Sequence, residues 1–160
     1  MESNTDAAME DALRLLARSQ KSIYELKRFL EGKGHKEGEI AETVTRLKSL
    51  NYLDDFKYAL DWGRGRIRRH PIGMRFMRLE LEKRGIEREI IGNVLRIIYQ
   101  ENNEKEMAST LLSQKLQRRP GSSHRKIPWV IGLLERRGFS QEVIQEAIEK
   151  ISNEYYEEGH

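Results

Sequence analysis

The chain has 160 residues, 34% charged and only 38% hydrophobic, with 29 basic against 26 acidic side chains and a net charge of +3. Average chains run near ~45–50% apolar and ~25% charged, so the balance argues against one thick globular core and for helices that each bury a narrow stripe. Near-neutral net charge also departs from the profile of disorder. With no cysteine, disulfides, thiol nucleophiles and cysteine-held metals are excluded. No apolar run approaches the ~18–20 residues that span a membrane, and the acidic, polar start lacks the pattern of a signal peptide. The expected location is cytoplasmic.

In chain order, Met9, Ala12, Leu13 and Leu16 form the face of a first helix. A second starts at Ile23, where Ser22 and Glu25 have capping-box spacing, and runs to Lys33-Gly34. A third carries Ile40, Val44 and Leu47. The same order then recurs. Phe56, Ala59, Leu60, Gly63 and Ile67 mark a first helix, capped by Asp54 or Asp55. Met74 to Arg84-Gly85 is a second, and Ile90, Val94 and Ile97 mark a third. Asn103 and Glu106 cap the helix of Met107, Leu111 and Leu112. Ile127 to Arg137-Gly138 and the face Ile144, Ala147, Ile148 and Ile151 complete the set.

The glycines at 34, 85 and 138 recur at spacings of 51 and 53 residues. Counted back from each, apolar residues share one register: Leu30, Leu81 and Leu134 at minus four, Leu26, Met77 and Val130 at minus eight, Ile23, Met74 and Ile127 at minus eleven. That spacing is one helical face. A basic residue before a glycine suits a helix end, and Ile86 and Phe139 suit the apolar contact of a Schellman cap, where repeat one has His35. The expectation is an all-α fold, an elongated, curved array of three tandem three-helix repeats over 6–50, 54–99 and 103–152, with 153–160 a frayed acidic tail.

Charge is unevenly spread. Residues 1–51 balance, 52–99 carry eleven basic against seven acidic side chains, and 100–160 carry nine against ten. Arg64, Arg66, Arg68, Arg69, Arg75 and Arg78 fall within sixteen residues that hold no acid. A second run is Lys115, Arg118, Arg119, Arg125 and Lys126. Both straddle the junction of a repeat's first and second helices. A charge run is often just a solvated face. The recurrence at one junction and the choice of arginine, whose planar fork pairs with carboxylate or phosphate, point to a binding surface for a phosphate backbone or an acidic protein face.

Enzyme signatures are poor. The four histidines are scattered, Gly63 and Gly65 do not extend to a phosphate-binding glycine motif, and Asp54-Asp55 has the place of a helix cap. Trp62 and Trp129 suit core or interface anchoring better than base stacking. No catalytic residue, metal or cofactor is expected.

The ordered set Leu53-Asp54-Asp55, Tyr58-Ala59, the basic stretch to Gly73, Glu80-Leu81, Arg84-Gly85-Ile86 and Ile90 resembles the middle unit of the RecX family, bacterial regulators of the RecA recombinase. Arg136-Arg137-Gly138-Phe139 resembles its third unit, and Ala12-Leu13-Leu16 with Tyr24-Glu25-Leu26 its first. The likeness spans about residues 8–150. It implies a non-enzymatic modulator that docks in the groove of the RecA–single-stranded-DNA filament; the chain is expected to be a monomer. Such proteins mostly restrain filament growth, ATP hydrolysis and strand exchange in recombination, DNA repair and the SOS response. Direct contact with single-stranded DNA stays open. The alternative is a DNA-binding protein whose three-helix units act like helix-turn-helix modules and whose arginines track phosphates.

Overall fold

The computed structural model describes residues 4–118 and 123–158, without the side chains of 123–125 and 155–158. Nine helices follow one another among these residues: α1 Asn4–Arg18, α2 Ile23–Gly32, α3 Glu37–Ser49, α4 Asp55–Arg69, α5 Met74–Lys83, α6 Arg88–Glu101, α7 Glu104–Arg118, α8 Ser123–Arg136 and α9 Gln141–Glu158. The fold is all-α, with no strand among the described residues. Helix α9 continues to Glu158, into the acidic segment from 153.

The chain divides into two compact units, Met1–Trp62 with Leu81–Val94, and Gly63–Glu80 with Leu95–His160. The first holds the bundle α1–α3, with Ala12, Leu26, Leu30, Ile40, Val44 and Leu47 in its core. The second holds the bundle α7–α9, around Leu111, Leu112, Val130, Leu134, Phe139 and Ile144. Helices α4, α5 and α6 occupy the expected middle repeat, but each contributes residues to both units.

The glycine register sets the core. Leu30, Leu81 and Leu134 are fully buried, as are Leu26, Met77 and Val130. Each second helix ends in a Schellman turn. The amides of His35, Ile86 and Phe139 donate to the carbonyls of Leu30, Leu81 and Leu134. Gly34, Gly85 and Gly138 take positive φ of 88°, 73° and 83°, which costs glycine least. In repeat one the apolar contact is replaced by polar chemistry: His35 Nε2 lies 2.7 Å from Asp11.

Three expected faces are corrected. On α1, Ala12 is buried and Met9 and Leu16 pack against the core as expected, joined by Ala8, while Leu13 is exposed; on α4, Ala59, Gly63 and Ile67 are buried as expected, joined by Tyr58, while Phe56 is exposed. On α6 the buried set is Ile91, Val94, Leu95 and Ile98, with Ile90 and Ile97 half-buried. An isoleucine pair occupies both candidate registers there, so spacing alone could not choose the inward one.

Consecutive repeats are joined by one recurring device. In the first unit, Ser22 Oγ donates to the Arg84 carbonyl at 2.6 Å and the Ile23 amide donates to the Asp55 carboxylate at 2.9 Å. In the second, the Gly73 amide donates to the Arg137 carbonyl at 2.8 Å. The Met74 amide donates to the Glu104 carboxylate at 2.9 Å. Ser22 and Gly73 both stand twelve residues before their own glycine, and Arg84 and Arg137 both stand one before the next. An aromatic closes each joint. A Cβ on Gly85 would lie 2.2 Å from Tyr24 Cβ, and one on Gly138 2.3 Å from Phe76 Cβ. The joint thus satisfies the orphan donors at the start of one helix with acceptors from the next repeat.

The Asp54-Asp55 pair divides the work. Asp54 caps α4 through the Lys57 amide at 3.0 Å, while Asp55 serves the joint. Burial pushes the Asp55 carboxyl up, against the pull of the Ile23 amide, and Glu87 and Asp54 add to the rise. The folded state therefore holds this proton more tightly than the unfolded chain. That makes stability fall as pH rises from the ordinary aspartate value through the raised one. Asp55→Asn keeps the acceptor and lacks the charge. Wild type should lose stability relative to Asp55→Asn across that window. Asp55→Ala, which orphans the Ile23 amide, should lie ~1–3 kcal/mol below Asp55→Asn at every pH. Urea midpoints across the acid range check both expectations.

Candidate partner-binding surface

The first basic run lies at the end of α4, the following turn and the start of α5, in the second compact unit. Its arginines take two different roles. Arg64 is drawn to Glu101, with Nε at 3.0 Å and a second contact through Nη2. That pairing holds the Glu101 carboxyl below its usual range. Arg66 Nη1 donates to the His70 carbonyl at 2.9 Å, and its guanidinium lies 6.0 Å from the centre of the Phe76 ring. Arg64 is thus paired with a carboxylate, while Arg66 keeps its charge and is held against the turn.

Arg68, Arg69, Arg75 and Arg78 are exposed, and none makes an ion pair or hydrogen bond among the described residues. Gly65 leaves space beside α4, and the Arg68 and Arg69 guanidiniums lie 3.7 and 4.0 Å from where a Cβ on it would stand. Gly63 has a different task. A Cβ there would meet Ile98 Cδ1 at 2.2 Å, so it lets α4 approach α6.

The turn between α4 and α5 is held carbonyl by carbonyl. Arg66 takes His70, Arg137 Nη1 reaches Pro71 at 3.4 Å, and Tyr99 Oη donates to Ile72 at 2.8 Å. The Gly73 amide closes on Arg137. Burial pushes the Tyr99 hydroxyl well above its ordinary value, with Glu104 adding to the rise. Burial lowers Arg137, and the nearby Arg66 charge lowers it further. Sequence reading assigned Arg137 only to a helix end and gave Tyr99 no role. The one signal was the basic residue before each glycine. The exposed arginines are thus mounted on a turn with little freedom to move, which reduces the ordering cost of any contact they make.

The second run is more dispersed. Lys115 is half-buried, Arg118 is exposed, and Lys126 Nζ donates to the Leu116 carbonyl at 3.3 Å. Arg119 lies outside the described residues, as does the side chain of Arg125.

A cleft of about 370 Å³ adjoins the held turn, lined by Pro71, Asn102, Asn103, Glu106, Met107 and Gln114 among others. Asn103 is engaged in capping α7 through the Glu106 amide. No group of three or more His, Asp or Glu able to hold a metal occurs among the described residues. No described helix is long and apolar enough to cross a membrane. Trp62 stacks under Arg84, whose guanidinium carbon lies 4.0 Å from the ring centre, an interface anchor in the first unit.

Comparison with known proteins gives one consistent result. The family model described as "RecX, first three-helix domain" matches residues 8–47. "Regulatory protein RecX" of Chlorobaculum tepidum is 31% identical over 153 residues, covering 96% of this chain and 93% of that protein. The protein of the same name from Caldanaerobacter subterraneus subsp. tengcongensis is 33% identical, covering 88% of this chain and 68% of its own. The crystal structure of RecX from Lactobacillus salivarius superposes with a TM-score of 0.84 over 95% of this chain and 99% of that one, at 24% identity. A similarity of this extent, over nearly the full length of both proteins, places the chain in the RecX family of regulatory proteins.

Proposed function

We propose that this chain is a non-enzymatic, mostly negative regulator of the RecA recombinase that acts in the cytoplasm. In this reading it docks in the groove of the RecA–single-stranded-DNA filament and restrains filament growth, ATP hydrolysis and strand exchange. The observation that carries the reading is the held α4–α5 turn. It presents Arg68, Arg69, Arg75 and Arg78 as four exposed charges on the surface of a chain that belongs to a family of regulators. Lys115, Arg118 and Lys126 of the second basic run take part in the same contact in this reading, with Arg119 and Arg125 of that run assigned to it from the sequence alone. Arg64, paired with Glu101, and Arg66, bonded to the His70 carbonyl, belong to the same basic run and are assigned to the contact with it.

The physical logic is differential affinity. A ligand shifts a filament between geometries only by the difference in how well it binds each. Several weak, oriented contacts to adjacent protomers supply that difference through avidity. The near-cancelled net charge of +3 limits indiscriminate binding to nucleic acid while leaving a local basic face.

Cosedimentation with RecA filaments on single-stranded DNA, with and without nucleotide, tests this directly against naked DNA. Binding should require the recombinase. The competing DNA-binding reading rests on the same exposed arginines. It predicts tight binding to bare single strands, with log affinity falling against log salt by ~0.7 per phosphate neutralised. Equal affinity for bare DNA and for the filament would favour that reading.

A further inference from the structure

We infer that the turn between α3 and α4, in the first unit, is a second docking surface, which takes an acidic, apolar segment of the recombinase protein and not its DNA. The partner's identity rests on the proposed function; its chemistry is read from the turn. Backbone bonds close that turn. The Tyr52 amide donates to the Leu47 carbonyl at 2.9 Å and the Asn51 amide to the Lys48 carbonyl at 3.1 Å, while Asn51 takes a φ of 61°. Asparagine tolerates this left-handed conformation better than most residues. Leu50 and Tyr52 are left 59% and 58% exposed, and Phe56 on the first turn of α4 is 37% exposed. A single exposed leucine is ordinary, but three large apolar side chains exposed within seven residues mark a contact surface.

The connection between repeats does not itself require them. In the corresponding turn before α7, Glu101, Asn102 and Asn103 are spent on Arg64, the Ile98 carbonyl and the Glu106 amide, and Tyr99 bonds the Ile72 carbonyl. Charge selects the partner. The carboxylates at the start of α4 are engaged within the chain: Asp54 with the Lys57 amide, Asp55 with the Ile23 amide and Asp61 with Lys57 Nζ. Lys21 lines a cavity of about 90 Å³ with Asn51 and Tyr52, and Lys48 stands in the last turn of α3. Neither lysine side chain makes an ion pair or hydrogen bond among the described residues, and Lys48 acts on Asp55 through its field alone. Unpaired cations beside apolar and aromatic side chains complement carboxylates that flank an apolar residue. Nucleobases would find a stacking face on Tyr52 but none on Leu50. With the arginine turn, one chain carries two contact surfaces, which raises avidity.

Leu50→Ser combined with Tyr52→Ser should weaken cosedimentation with RecA filaments on single-stranded DNA several-fold, with far-UV circular dichroism and the thermal midpoint unchanged. Tyr52→Phe should keep wild-type binding. Lys21→Glu should weaken it, and Lys21→Arg should not. Whatever binding the wild-type chain shows to bare oligo(dT) should be the same in every variant. Filament binding by the wild-type chain with no loss in the double variant would overturn this inference alone. No filament binding by the wild-type chain would overturn the proposed function and this inference with it. Equal losses on the filament and on bare oligo(dT) would assign the turn to nucleic acid and overturn the inference as well.

Discussion

Gly138→Ala is expected to cost ~2–5 kcal/mol of stability, against ~1–2 kcal/mol for Gly34→Ala. Both residues hold positive φ, and an L side chain there costs ~1–2 kcal/mol. The difference lies in what a new Cβ meets. At Gly138 it falls 2.3 Å from Phe76 Cβ and 2.5 Å from the Phe76 amide nitrogen. Neither atom is the movable tip of a side chain, so the overlap adds the ~1–3 kcal/mol typical of overpacking. At Gly34 it meets nothing within 4 Å. Gly73→Ala isolates the steric part, because its Cβ would fall 2.3 Å from the Gly138 carbonyl oxygen. Thermal unfolding reads the series, at ~2–4 °C per kcal/mol for a chain of this size. Equal losses at Gly34 and Gly138 would contradict the joint as described.

Under the proposed function, reversing Arg68, Arg69 and Arg75 together to glutamate should weaken inhibition of RecA by an order of magnitude or more. Three exposed contacts at ~0.5 kcal/mol each already amount to about tenfold, and reversal adds repulsion to their loss. The helical far-UV signal should persist, since none of the three supports the described packing. Arg64→Ala is the contrasting variant. It removes the partner of Glu101, an exposed pair, and should lower stability only slightly while sparing binding. Unchanged inhibition by the triple variant, with inhibition lost in Arg64→Ala, would reverse the roles assigned to these arginines.

Much of the fold is legible in the sequence. Leu26, Leu30, Met77, Leu81, Val130 and Leu134 could be placed because a helix end marked by glycine fixes a count, and the count fixes a face. The faces of α1, α4 and α6 were less legible. Each carries apolar residues in adjacent registers, and the inward one is decided by which neighbour packs there. The basic run was visible as composition, but its division was not. Arg64 and Arg66 look like Arg68 and Arg69 in sequence. Only the approach of Glu101 and the His70 carbonyl separates supporting arginines from presenting ones. The joints were hidden for the same reason: Ser22 reads as a local cap, and its bond to the Arg84 carbonyl spans 62 positions.

The most direct measurement is the DNA-dependent ATPase of RecA on single-stranded DNA as this chain is titrated in. Hydrolysis should fall with added chain and recover when Arg68, Arg69 and Arg75 are reversed. Hydrolysis that stays constant at concentrations where the chain saturates the filament would contradict the assignment.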